Sequence, residues 1–327
     1  MTEVGPAANP DPGLLGRLTA NSAAVRASLD VALQQQSTGK VSDVYSGLGA
    51  GVRASLDLRP AMQHVQVWQN NIDAATGRLD VTQAALTQIG AIAAKFYAAT
   101  GNITTTGTSE TVGIAAEAKL ALQQVAQLLN TKAGDVYVFA GQDTANPPVP
   151  NTDPTVTGAA LLASDTATAP FSAGIGGPSG SAVPTVEVGE GQTVQVGLLA
   201  NQNTLAVSAP PTTGSFMRDL MRGLATLANL TDGPGAQAVA ADTRDRLHGA
   251  VGALADETGA LGDIQATLAA RKTSLAATQT ALHKQVSGVE DVDLAATLSR
   301  VSALQTQLQA SYQVIAGVKR LGLANYL

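Results

Sequence analysis

The sequence predicts a mainly α protein: a long antiparallel helical bundle or coiled coil built from both chain ends, with a small β-rich insert at the centre. Three observations predict it. Apolar residues fall on seven-residue spacing in both flanks, at Val65, Ile72, Leu79, Leu86 and Ala93 in the first half and at Leu247, Leu254, Leu261, Leu268, Leu275 and Leu282 in the second. That spacing marks helices with one continuous apolar seam. Aromatic residues make up 3% of the chain and charged residues 13%, against roughly 25% charged in ordinary globular proteins. So few rings cannot fill a broad core, whereas alanine-rich helices can pack closely in a thin one. The stretch 146–215 differs from both flanks: it holds nine of the 14 prolines and no Lys, Arg or His.

The elements follow in order. After a Pro-rich start, Leu15, Leu18, Ser22, Val25, Leu29 and Ala32 alternate spacings of three and four, one face of a helix. Ser37-Thr38-Gly39-Lys40 breaks the pattern, and Tyr45 to Gly51 carries three glycines in five residues. Each glycine weakens a helix by about 1 kcal/mol, so this segment is expected to be an irregular joint. The heptad helix with Val65 follows, its second seam carried by Trp68, Ala75, Thr82, Ile89 and Phe96, and ends near Thr100-Gly101-Asn102. Ile114, Ala118, Leu122, Val125 and Leu129 mark another helix from about Thr111 to Asn130. Val136 to Gly141 has the β-branched and aromatic content of a strand.

Within the insert, Val186-Glu187-Val188 and Val194-Gln195-Val196 flank Gly189-Glu190-Gly191-Gln192, which predicts a β-hairpin. Helical period returns at Phe216 with Leu220, Leu224 and Leu227, and breaks at Thr231-Asp232-Gly233-Pro234-Gly235. The leucine heptads follow. After Ser287-Gly288, the acids Asp291 and Asp293 signal a helix start. Leu294, Leu298, Val301, Leu304, Leu308, Tyr312, Ile315 and Val318 form a last stripe. The expected division is terminal assembly helices over 1–50 and 288–327, a helical rod over 51–145 and 216–287, and a β-rich exposed insert over 146–215.

Composition narrows the function. A net charge of -6 speaks against a nucleic-acid partner, which calls for a basic patch. No Lys/Arg run suits an acidic membrane surface, and no apolar stretch is long enough for membrane insertion. The start MTEVGPAANPDPG lacks the apolar core of a cleaved signal peptide. With no cysteine, thiolate metal sites and cysteine nucleophiles are excluded. His64, His248 and His283 stand apart, outside any ligand spacing, so neither metal nor cofactor is expected. Glu290, Asp291 and Asp293 suit helix capping better than a Ca²⁺ loop. Asp242, Asp245, Asp256 and Glu257 are expected on solvated helix flanks. The glycines 174, 176, 177 and 180 lack the Lys-Ser/Thr of a phosphate loop and are expected to form a plain loop. No nucleophile–base pair stands out, so a structural protein is expected rather than an enzyme.

The leucine heptads suit either a homodimeric zipper or an intramolecular bundle; the matching seam in the first half favours the bundle, with the terminal helices pairing beyond it. A terminal helix with an apolar stripe has little else to cover it, and isolated helices are marginal in water. The stripes are therefore expected to be assembly surfaces, carried by Leu18, Val25, Leu29, Leu294, Leu298, Val301, Leu308, Tyr312 and Ile315.

Several segments carry a resemblance. Leu33-Gln34-Gln35-Gln36-Ser37-Thr38-Gly39-Lys40, Gln69-Asn70-Asn71-Ile72-Asp73-Ala74-Ala75 with Leu79, Asp291-Val292-Asp293-Leu294-Ala295, Leu304 to Tyr312 and Leu321 to Leu327 resemble elements of bacterial flagellins and hook–filament junction proteins. Tyr137-Val138-Phe139-Ala140-Gly141-Gln142-Asp143-Thr144, followed by Pro147-Pro148, is more similar to the junction proteins. The resemblance covers about 14–145 and 216–327. It departs at Val41 to Leu48, where many relatives carry an N-x-x-S-D-D-P turn. It implies an extracellular flagellar subunit, exported by the flagellar type III apparatus without a cleaved signal peptide. It implies partners as well: copies of itself, hook-associated proteins and flagellin, and a cytosolic export chaperone on the C-terminal helix. A filament-forming flagellin and a secreted coiled-coil binding module are the alternatives.

Overall fold

The computed structural model describes residues 12–103, 108–164, 169–176, 182–204, 206–208 and 210–324. Helices dominate, as expected: α1 Pro12–Thr38, α2 Val52–Gly101, α3 Thr108–Leu129, α4 Pro154–Ala163, α5 Ala173–Gly176, α6 Phe216–Ala228, α7 Ala236–Glu290 and α8 Leu294–Ala324. Strands form two small antiparallel pairs, β1 Lys132–Ala133 with β2 Val136–Tyr137, and β3 Thr185–Gly189 with β4 Gln192–Gln195. The chain divides into two compact units, Met1–His64 with Thr278–Leu327, and Val65–Ala277.

In the larger unit the heptads bury as their spacing requires. Val65, Ile72, Leu79, Leu86 and Ala93 of α2 are all buried, as are Leu247, Leu254, Leu261, Leu268 and Leu275 of α7. Polar pairs give the register. Asp73 takes an ion pair from Lys272 at 2.5 Å, and seven residues further along α2 Asp80 accepts from Gln265, seven residues back along α7, at 2.8 Å. Farther along, the Tyr97 ring meets His248 edge-on at 5.6 Å. Equal steps in opposite directions make this pair antiparallel in one fixed register, so the leucine seam finds its partner inside the chain.

Helix α6 is covered on all sides, with Phe216, Met217, Leu220, Met221, Leu224 and Leu227 buried. It packs on α3 and α4. Its two buried charges are hydrogen-bonded to groups nearby. Asp219 accepts from Thr212 Oγ1 at 2.6 Å and from the Thr213 amide at 2.9 Å. Arg218 donates to the carbonyls of Ala169 at 2.5 Å and Ser164 at 2.6 Å.

The centre departs from expectation in three places. The predicted strand Val136–Gly141 pairs only at Val136–Tyr137, because Gly134 (φ 62°) turns the chain into a short hairpin with Lys132–Ala133. Beyond it, Ala140 bridges Leu199. The insert holds a helix, α4, begun by Asp153, whose carboxylate accepts from the Thr155 and Val156 amides ahead of Pro154. Residues 173–176 are helical, while Gly177 and Gly180 lie outside the described residues. The hairpin β3–β4 is found where predicted, turning at Glu190-Gly191.

Glu257 corrects another expectation: it is fully buried, and its carboxylate accepts from the amides of Thr204 at 2.5 Å and Ala206 at 3.2 Å. It ties Thr204 and Ala206 to α7. The hairpin is pinned four turns farther along α7, with Arg271 donating to the Val188 carbonyl at 3.0 Å and Asn71 of α2 to the Glu187 carbonyl at 3.1 Å. A two-stranded hairpin is marginal alone, so these bonds from α2 and α7 fix its position.

Candidate assembly interface

The smaller unit holds the terminal helices. They pack on one another, around buried Leu29, Ala32 and Val301 with Leu304 and Leu308 against them. Leu18 and Val25 are half-buried on the Leu29 face of α1, and Ile315 is half-buried in the seven-residue row of Val301 and Leu308. Six of the nine predicted assembly residues thus lie along the seam within one chain. The other three do not. Leu294, Leu298 and Tyr312 remain 51%, 49% and 49% exposed. Leu298 and Tyr312 sit on the flank of α8 beside the seam, Leu294 continues the seam row past its covered part, and Val31 and Leu33 of α1 are exposed as well. One stripe in the sequence is therefore two surfaces in the structure, a covered seam and an open apolar flank.

The pair is closed by a clasp where α1 meets α2 and α7 meets α8. Gly39 (φ 70°) ends α1 in the left-handed conformation that favours glycine, its amide bonded to the Gln35 carbonyl at 2.9 Å. The chain then runs antiparallel to the α7–α8 connection. The Val41 amide donates to the Glu290 carbonyl at 2.7 Å, and the Val292 amide to the Gly39 carbonyl at 3.0 Å. Side chains reinforce this short ladder. Lys40 reaches Asp291 at 2.5 Å. Buried Glu290 accepts from Ser55 Oγ at 2.6 Å, while Arg59 Nη2 reaches both its carboxylate oxygens at 2.8 Å. Arg59 also lies over the Tyr45 ring, 5.8 Å from its centroid.

These contacts hold Glu290 below the usual carboxylate range, first through the Ser55 hydroxyl and then through Arg59. Asp291 is lowered by Lys40 and then by Ser287. Arg59 is raised by its bond to Glu290. Of the three acids read as caps, only Asp293 acts as one, accepting from the Ala295 and Ala296 amides at 2.9 and 3.1 Å. Helix α7 continues through Ser287-Gly288 to Glu290, because glycine in a well-packed helix costs only about 1 kcal/mol. The glycine joint is a 3-10 helix, Tyr45–Gly51, kinked at Gly49 (φ 55°, ψ -124°).

Sequence reasoning missed Ser55, Arg59 and Lys40 as partners of the acidic cluster. No local pattern links them, since Glu290 lies 231 residues from Arg59. Among the described residues no group of His, Asp and Glu is arranged to hold a metal ion, and no helix is long and apolar enough to cross a membrane.

Comparisons with known proteins bear on this architecture. The bacterial flagellin N-terminal helical region matches residues 17–144, and the bacterial flagellin C-terminal helical region matches 245–327. No curated protein sequence matches the chain. Among solved structures, one described as a flagellar hook-associated protein from Vibrio parahaemolyticus has a TM-score of 0.58 at 14% identity, covering 76% of this chain and 99% of that one. The structure of Bacillus cereus FlgL has a TM-score of 0.43 at 16% identity, covering 70% of this chain and 95% of that one. The two family regions span well over half of the sequence and take in α2, α8 and most of α1 and α7, so the chain belongs to the bacterial flagellin family and is a structural protein of the flagellum.

Proposed function

We propose that the chain is a hook–filament junction subunit, which joins two helical polymers through its terminal helices. One observation carries the reading: the α1–α8 pair covers its own seam yet leaves Leu294, at the end of that row, and Leu298 and Tyr312, beside it, half exposed. Exposed apolar side chains gathered on one face mark a protein contact. In this reading the flank docks on neighbouring copies and on hook-associated proteins and flagellin, while Leu18, Val25, Leu29, Val301, Leu308 and Ile315 hold the pair that presents it. The work is adhesion; no catalytic step is involved. The subunit reaches the outside by the flagellar export route, and the exposed face of α8 is where a cytosolic chaperone covers it beforehand.

A filament-forming subunit is the second reading, favoured by family models that are those of flagellin itself. Seeded polymerisation separates the two. Purified protein added to hook ends or filament fragments should bind as a limited layer and then stop. Continued growth into long filaments would make the chain a filament subunit. Failure to bind either end, with α1 and α8 folded, would overturn both readings.

A further inference from the structure

A cleft of about 160 Å³ lies between α2 and the β3–β4 hairpin. On α2 it is lined by Asn71, Ala74, Ala75 and Arg78, whose spacings of three, four and seven put them on one helical face. Thr185, Val186 and Val196 form the opposite wall. Its shape is fixed rather than accidental, since Asn71 and Arg271 pin the hairpin through the carbonyls of Glu187 and Val188. The two alanines leave the space open, and buried Val196 keeps one wall apolar.

Arg78 is the unusual member. It is half-buried, and its guanidinium makes no hydrogen bond or ion pair with any described residue. The neighbouring acids on α2 are engaged elsewhere: Asp73 with Lys272 and Asp80 with Gln265. Glu187, on the hairpin, is exposed. The guanidinium keeps five donors in a fixed planar fork. A carboxylate matches that fork with two parallel hydrogen bonds. The apolar wall beside it suits a short carbon stem.

We propose that this cleft binds a carboxylate carried on a stem of two or three carbons, with Arg78 as the gripping residue and the Thr185 hydroxyl as an added donor. Such a group is found on a free short-chain acid or on a glutamate side chain of a second copy. Propionate is the probe that both sources share. In the full chain labelled with ¹⁵N-arginine, propionate at constant ionic strength should shift the Arg78 Nε–H resonance saturably, with a midpoint of about 1–10 mM for a single bidentate pair. Chloride should leave it unmoved. Arg78→Lys keeps the charge and the stem, so the fold is retained, but it loses the fork; binding, followed in uniformly ¹⁵N-labelled parent and variant by the side-chain amide of Asn71 in the same cleft, should weaken about tenfold. Sedimentation velocity then separates the sources. Copies that associate and are dispersed by propionate point to a glutamate of a second copy, whereas saturable binding to a monomer points to a free acid. The proposal is overturned if the shift is linear, if chloride reproduces it, or if Arg78→Lys binds as well as the parent chain.

Discussion

Replacing Glu290 by Gln tests whether side chains close the clasp on the terminal helices. The carboxylate holds Ser55 at 2.6 Å and Arg59 at 2.8 Å on each oxygen, from a buried position. Gln keeps the shape and one acceptor oxygen but loses the charge. Hydrogen bonds to charged groups contribute about 1.5–3 kcal/mol, and the exposure of Arg59 lowers its share. We expect a local loss of about 1–2 kcal/mol, or about 5–30-fold in the opening equilibrium. The reporters are the amides of Val41 and Val292, whose bonds to Glu290 and Gly39 form the ladder beside it. Their native-state hydrogen exchange should accelerate by that factor, while amides near Leu261 in the larger unit stay unchanged. The pH dependence has a definite sign. Glu290 and Asp291 both have lowered pKa values in the fold, so their contribution is complete above their unfolded values, about 4. It is lost as pH falls through the still lower folded values. The parent chain should therefore open at the clasp only in strong acid, and Glu290→Gln should flatten that dependence. Exchange at Val41 and Val292 that is equal in variant and parent would refute the reasoning: the backbone ladder would be holding alone.

Other expectations follow from the same geometry. Leu298→Asp should leave the circular dichroism of the monomer unchanged and abolish binding to hook or filament ends in a pelleting assay. Val301→Ala removes buried methyls from the terminal seam and should cost about 1–2 kcal/mol, read as faster exchange throughout α1 with the larger unit unaffected. Glu257→Ala removes the acceptor of the half-buried amides of Thr204 and Ala206, at about 1 kcal/mol for each lost bond. Limited proteolysis should then cut near residue 204 before any other site in the larger unit. Gly49→Ala places a side chain at φ 55° and should cost about 1–2 kcal/mol, seen as a lower denaturant midpoint for the smaller unit.

The heptads made the helices legible because burial and helical period coincide there: every leucine of the α7 row from Leu247 to Leu275 is buried. The β3–β4 hairpin was legible because Gly191 supplies the positive φ its turn requires. Helix α4 was marked by Asp153-Pro154, an N-cap followed by proline at the first helical position, but proline density across the insert concealed it. Glu257 was misread because its flank looked solvated; Thr204 and Ala206, about fifty positions earlier, donate to it, and no local pattern foretells that contact. The assembly stripe was legible as apolar but not as divided. Leu294 and Val301 are seven residues apart and equivalent in period, yet one is exposed and the other buried. Which member is covered depends on where α1 lies, and periodicity on α8 alone does not contain that.

This division changes how assembly should be understood. Had the whole stripe been free, the terminal helices would fold only on contact, and docking would have to overcome the ordering of some fifty residues at about 1–2 kcal/mol each. With the seam closed inside the chain and the clasp holding both crossovers, most of that ordering is met before docking. What remains for the neighbour is the open surface with Leu294, Leu298 and Tyr312, each side chain already half covered and so contributing about 1 kcal/mol more when fully covered. Per copy that is a modest sum, suited to an interface repeated by many copies, where many weak contacts act together. The seam and the flank therefore have separable roles: substitutions in the seam should loosen the monomer, and substitutions on the flank should leave the monomer intact and silence the polymer contact.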